Sequence, residues 1–281
     1  MSERIYHAIL TRFNVRRDAN VDPRVLRSEW LDARMKLFEQ VTVPSIAAQT
    51  QLPDVWLVFF DEGTPKATRD RFEKLTLELP QLQAEYCRGL DAKICIERIL
   101  RRVPSGVSRL LTTRLDNDDA LNPRFVESVH AFACSDGREF LNPTHGLIVA
   151  NGTLYRKRDY SSPFISLSEP LDGCCTVLVD QHQRLSWYGN VRQFALKDAW
   201  IQVVHGENLA NQVRGIRVLP SSVSMNILPP ALRESVHDVS AVEFVLDNSF
   251  GLVRRYAGSL RRRLKRMWAD HKVRQSQIER S

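Results

Sequence analysis

The sequence predicts an α/β fold in which a mixed sheet is flanked by helices. Three observations carry this. Apolar, β-rich runs alternate with amphipathic helical patterns up to residue 125, the signature of strands joined by helical crossovers. Beyond Cys134 the runs become short and are separated by turn residues, which points to mixed or antiparallel sheet. Between these halves, the strand-like Leu110–Leu115 runs straight into Asp116, Asn117, Asp118 and Asp119.

Ile5–Phe13 (IYHAILTRF) reads as the first strand, followed by Asn14. Ser28–Gln40 sets Trp30, Leu31, Arg34, Leu37 and Phe38 at near-helical spacing. Pro44–Gln49 reads as a second helix opened by its proline. Val55–Phe60 is a wholly apolar strand that stops at Asp61, with a turn marked by Gly63, Thr64 and Pro65. Lys66–Leu79 is a polar helix that turns Phe72, Leu75 and Leu79 inward. A short strand, Leu82–Cys87, precedes a helix over Asp91–Arg102, which Pro104–Gly106 breaks before the Leu110 strand. This alternation implies a mainly parallel sheet with right-handed crossovers. Asn122 and Pro123 suit the N-cap and first position of a helix over Pro123–Ala133.

Arg138–Asn142, Gly146–Ala150 and Thr153–Arg158 read as short strands, the last two joined by the hairpin signal Asn151–Gly152. Cys174–Leu185 fits either a strand or a helix. Ala199–Val204 is apolar and runs into His205. Val218–Pro230, rich in Pro and Ser, reads as a linker, and Ala231–Asp247 as helical in part.

The 281 residues suffice for one large domain or two small ones. The start MSERIYHAIL lacks the apolar core of a signal peptide, and no run approaches the ~20 apolar residues of a spanning helix. Five cysteines without C-x-x-C spacing suit reduced thiols in the cytoplasm. The net charge of +7 is unevenly placed: residues 254–281 hold ten Lys/Arg and two Asp/Glu, leaving the rest of the chain at −1. A near-neutral body offers no basic face for nucleic acid.

Three carboxylates within four residues repel one another. At ~4 Å each pair costs roughly 1 kcal/mol in water and about 4 kcal/mol near a protein surface. A divalent cation would relieve that repulsion, and oxygen ligands suit Mg²⁺ or Mn²⁺. Asp and Asn are also ordinary turn residues, so the run can equally be a turn. Its place at the end of an apolar strand favours a ligand site, because open α/β sheets bind ligands at that edge.

HAILTRFNV, PSIAAQTQLPDVWLVFFDEGTP, LTTRLDNDDALN and WIQVVHGENLAN together resemble the bacterial family described as "putative rhamnosyltransferase", within the GT-A glycosyltransferases. The likeness covers residues 4–212. It implies a GT-A-like domain over 1–217, to which the composition adds a linker and helical extension over 218–250 and a basic tail over 251–281. It further implies a nucleotide-sugar donor, a glycan or lipid-linked acceptor of the cell envelope, and Mn²⁺ or Mg²⁺. In such enzymes a D-x-D holds the metal and, through it, the donor diphosphate. Asp116 and Asp118 fall on those positions, with Asp119 as an alternative ligand and His205 as the late histidine that completes the set.

Glu169, Asp180 and His182 lie where the resemblance places the base that takes the acceptor's proton. Thr11, Arg12, Asn14, Asp61 and Arg114 are candidates for the nucleotide, and each also has a structural reading in turns or ion pairs. Trp187 and Tyr188 suit either sugar stacking or core packing. In the tail, Leu252, Tyr256, Leu260, Leu264 and Trp268 recur at helical spacing among arginines. A basic amphipathic helix of this kind suits an anionic membrane surface, on the inner face for a cytoplasmic enzyme. Two other functions fit the same residues: a metal-dependent phosphoesterase or nuclease, and a non-catalytic adaptor.

Overall fold

The computed structural model describes residues 4–15, 23–133, 137–205 and 215–238, with 213, 240, 243–245 and 248–249 beyond them. The first half alternates as expected. β1 (Ile5–Arg12) leads to α1 (Ser28–Leu37), a wider π turn (Phe38–Thr42) and α2 (Val43–Ala47). β2 (Val55–Asp61), α3 (Lys66–Glu78), β3 (Leu82–Cys87), α4 (Ala92–Leu100) and β4 (Arg109–Arg114) follow. A two-residue β5 (Ala120–Leu121) and α5 (Phe125–Phe132) complete this half. The second half is almost all strand: β6 (Glu139–Pro143), β7 (His145–Ala150), β8 (Thr153–Arg158), β9 (Ser166–Pro170), β10 (Asn190–Phe194), β11 (Trp200–Val204) and β12 (Ile216–Arg217), before α6 (Pro230–Ser235).

Seven strands form one sheet in the order β10-β6-β9-β4-β1-β2-β3. β1 runs parallel to β2 and β4, and β2 parallel to β3. β9 runs antiparallel to both β4 and β6, which makes the sheet mixed. A second sheet has the order β12-β8-β7-β11-β5. The parallel strands therefore end on one edge, where Arg12, Asp61 and Arg114 close β1, β2 and β4.

Side chains alternate across β1 and β2 with period two. Ile9, Trp56, Val58 and Phe60 pack on one face with Leu31, Phe38 and Phe72 from the helices. Ala8, Leu10, Leu57 and Phe59 pack on the other with Cys95 and Ile99 of α4. Each fully buried aliphatic or aromatic side chain contributes about 1.5–3 kcal/mol. A third cluster joins Leu147, Val149, Ile201 and Val203 of the second sheet to Val223, Leu228 and Leu232. The stretch 218–230, read as a linker, thus holds only short 3-10 turns yet is packed onto that sheet.

Other boundaries differ for local reasons. The second helix follows directly on the π turn, so it starts at Val43 with Pro44 in its first turn and ends at Ala47 rather than Gln49. Asn122 accepts the Arg124 amide at 2.9 Å and caps a turn, so α5 starts at Phe125. Cys174–Leu185 is neither strand nor helix as far as Arg184; Thr176 sits at φ 64°, and a 3-10 turn starts at Leu185. The four described cysteines, Cys87, Cys95, Cys174 and Cys175, are free thiols.

Candidate active site

The acidic run follows β4 at the carboxyl edge of the parallel strands. Its geometry is set by the short pairing of β5 with β11, in which Leu121 faces Trp200 and Ala120 faces Ile201. The same line of contacts continues past the strand. Asp119 Oδ1 accepts the Val203 amide at 2.9 Å, and His205 Nε2 donates to Asp118 Oδ2 at 3.0 Å. A carboxylate can only accept, so Nε2 carries the hydrogen in that contact. The histidine reaches the carboxylate because β11 is docked against the acidic run from the other half of the chain.

Each of the four residues has a partner. Asn117 donates to the Phe13 carbonyl at 3.2 Å. Asp116 pairs with Arg114, whose Nη2 reaches both carboxylate oxygens at 3.1 and 3.0 Å. Burial alone would raise the Asp116 carboxyl, but Arg114, Arg12 and His182 outweigh it and hold the group below the usual carboxylate range. Asp119 behaves oppositely. Burial, with Asp118 and Asp116 beside it, pushes it well above that range. Asp118 meets Arg34 of α1 in a short ion pair on the same Oδ2 that receives His205. Arg34 and Asp118 are 8% and 6% exposed, so this pair is buried.

Asp118 Oδ2 and His205 Nε2 are separated as two neighbouring ligands of one ion would be, given bonds near ~2.1 Å. The rest of the expected ligand set is arranged otherwise. A guanidinium stands on the shared oxygen, Asp116 faces Arg114, and Asp119 faces the β11 backbone. Among the described residues no three His, Cys, Asp or Glu side chains converge on a point. As arranged, the described residues alone do not fit a resident Mn²⁺ or Mg²⁺.

Of the nucleotide candidates, Arg12 and Arg114 stand close enough to Asp116 to act on its charge. Thr11 accepts the buried Trp56 indole N–H at 2.9 Å and belongs to the core. Asn14 accepts the Asp61 amide at 3.1 Å and donates to Thr64, latching the end of β1 to the turn after β2. Asp61 Oδ1 accepts the Gly63 amide at 2.8 Å and so caps its own turn.

The three base candidates separate. Glu169 pairs in register with Leu110, at the start of β4. Four residues at about 3.3 Å each put it some 13 Å back from Arg114 along the strand. There it is fully buried, accepts the Cys175 and Thr176 amides, and pairs with Arg138 at 2.9 Å. That placement makes Glu169 a clamp on the 174–176 turn, away from the acidic corner. His182 does stand beside the corner, within electrostatic reach of Arg114, Asp116 and Asp159. In the neutral ring its Nδ1 donates to the Ser161 carbonyl at 2.7 Å, and its Nε2 accepts from the Gln183 side-chain amide at 2.7 Å. Burial lowers its pKa, with Arg114 adding to the effect. Asp180 accepts the Tyr188 hydroxyl at 3.2 Å and the Gln181 amide at 2.6 Å.

Sequence reasoning passed over Arg34 as a site residue. The signal was a charge on the apolar stripe of α1, between Leu31 and Met35, both nearly inaccessible.

The fold is a mixed sheet flanked by helices, with the acidic corner at the carboxyl edge of its parallel strands. A family model described as "Putative rhamnosyl transferase" matches residues 16–217, and the chain belongs to that glycosyltransferase family. No curated protein matches it. Among solved structures it is similar to TarS of S. aureus at 12% identity and TM-score 0.41, over 71% of this chain and 37% of that one. It is also similar to a nucleotide-diphospho-sugar transferase, itself described as putative, from Desulfovibrio desulfuricans G20, at 12% identity and TM-score 0.35, over 70% and 80% of the two chains. A third likeness is to 4-diphosphocytidyl-2C-methyl-D-erythritol synthase from Anaerococcus prevotii, at 10% identity and TM-score 0.35, over 87% and 95%. The chain thus spans little more than a third of TarS, and these likenesses transfer no residue roles.

Proposed function

We propose that this protein moves a sugar, rhamnose by the family's description, from a nucleotide-sugar donor to a hydroxyl of a glycan or lipid-linked acceptor. The observation that carries this reading is the corner itself. Asp116 and Asp118, each with its own arginine, stand at the carboxyl edge of the parallel strands with His205 on Asp118, where a nucleotide's diphosphate is expected. The leaving nucleoside diphosphate gains negative charge as the glycosidic bond breaks. Fixed positive charge at that point stabilises the transition state more than the ground state, and only such a difference accelerates the step.

We assign His182 as the group that takes the acceptor's proton. Ser161 holds its Nδ1–H, burial favours the neutral ring, and the Nε2 lone pair, which meets the exposed Gln183 amide, accepts the proton once the acceptor displaces that amide. The acceptor oxygen bonds to the anomeric carbon, its proton passes to Nε2, and the nucleoside diphosphate departs with the bonding pair. Asp180 is the second candidate for this proton.

Calorimetry with UDP, dTDP and GDP tests the donor site. One nucleotide should bind selectively, and Asp118→Ala should abolish that binding. Hydrolysis of a model phosphodiester without nucleotide preference would favour a phosphoesterase instead. The absence of any nucleotide binding would favour an adaptor.

A further inference from the structure

We infer that Arg34 is the cation of the donor site: seated on Asp118, its guanidinium stands where a divalent ion was expected and binds the donor's diphosphate. This rests on the donor reading above and names the group that meets the phosphates.

Arg34 comes from α1 and lies 84 residues before its partner, so the pair is made by the tertiary fold. Its neighbours on the helix, Leu31 and Met35, are 0% and 1% exposed. The Trp30 ring, one turn earlier, lies 5.3 Å from the guanidinium carbon. Burying a guanidinium is unfavourable unless charge and hydrogen bonds compensate, and Asp118 supplies that compensation. The contact is on Oδ2, the oxygen that also receives His205, whose side chain is 22% exposed. The Arg34 and Asp118 side chains are themselves only 9% exposed, so a ligand would approach the shared oxygen from the side of His205.

Arg114 repeats the arrangement on Asp116, and Arg12 adds to the positive field there. Both acidic positions of the D-x-D thus carry a guanidinium of their own. A divalent ion arriving at Asp118 Oδ2 would meet a positive charge on that same atom and would have to displace it. A diphosphate meets the opposite situation. Guanidinium presents five N–H donors in a planar fork whose geometry matches carboxylate and phosphate oxygens alike. The acidic residues, on this reading, aim the arginines.

The test is titration of the full chain with UDP, dTDP and GDP, once in EDTA and once in Mn²⁺. The preferred nucleotide should bind in EDTA with a Kd within about threefold of its value in Mn²⁺. Arg34→Met should weaken binding in EDTA by roughly ten- to a hundredfold, the loss expected for one hydrogen bond to a charged group. Arg34→Lys, which keeps the charge but loses the fork, should fall between the two. Tight binding in Mn²⁺ with none in EDTA would overturn the inference and leave the donor reading standing, and this arm needs no variant to fold. Wild-type affinity in a folded Arg34→Met, checked by its melting curve, would overturn it as well. No nucleotide binding under either condition would overturn both.

Discussion

Asp119 and His182 titrate in ways that opposite roles require. Asp119 is raised in the folded chain by burial and by its acidic neighbours. Below the ordinary value of 3.8 both folded and unfolded chains hold the proton, and the stability it brings is fully present. As pH rises the unfolded chain ionises first, so that stability is lost progressively up to the folded pKa. Asp119→Asn cannot ionise and keeps an oxygen for the Val203 amide. Its melting temperature relative to wild type should therefore increase from pH 4 to pH 7, and a flat difference would contradict the assignment. His182 is shifted the other way, below 6.5. Turnover should be level at neutral pH and fall only below that value. His182→Gln should lose roughly 10²–10⁴-fold in kcat with nucleotide affinity unchanged by calorimetry. Glu169→Gln separates a clamp from a base: about 2–4 kcal/mol less stable in urea, with nucleotide affinity retained. Asp116, Asp118 and His205 were legible because a motif and a late histidine mark them. Glu169 was not, because its distance from the corner depends on the register of β9 against β4.

At the scale of elements, β11 does most to place the site. Trp200 is fully buried, stacks on Phe164 with ring centroids 4.9 Å apart, and donates its indole N–H to the Pro143 carbonyl at 2.9 Å. It lies over Gly146, where an added Cβ would come within 2.1 Å of the indole ring. Gly146→Ala should force the indole aside and destabilise the fold by about 3 kcal/mol. Because the same strand carries Val203 and His205, nucleotide affinity should drop with it; a stable variant of full affinity would show that the corner does not depend on β11. The strands with uniform apolar runs were readable, and Leu82–Cys87 and Thr153–Arg158 match residue for residue. β9, with the sequence SLSEP, was invisible because its polar side chains are buried among partners from remote segments: Ser166 on Thr113, Ser168 on Arg109, Glu169 on Arg138. Alternation of apolar residues cannot reveal a strand whose inward groups are satisfied by hydrogen bonds.

For the molecule as a whole, the sequence reading placed the change from parallel to mixed sheet correctly, because helical crossovers and tight hairpins leave different spacings. It could not show that 218–230 is packed, since a few apolar residues among prolines look alike in a linker and in a strap. Among the described residues no helix is long and apolar enough to cross a membrane. The basic tail over 251–281 lies outside the described residues, and its membrane role remains a proposal. Vesicles containing anionic lipid should pellet the full chain and leave a variant ending near Asn248 in the supernatant. Each basic residue at such a surface adds ~1 kcal/mol, and equal pelleting of both proteins would remove the role.

The bond from His205 to Asp118 spans 87 residues of chain. At a ribosome adding about 5–20 residues per second, the aspartates emerge roughly 4–17 s before their histidine. Arg34 has already been made by then, whereas Val203 and His205 have not. During that interval the nascent chain carries crowded like charges that nothing from the second half can yet quench. Completion of the corner is accordingly a late folding event, in which Asp119 and the second contact of Asp118 are the last to find their partners.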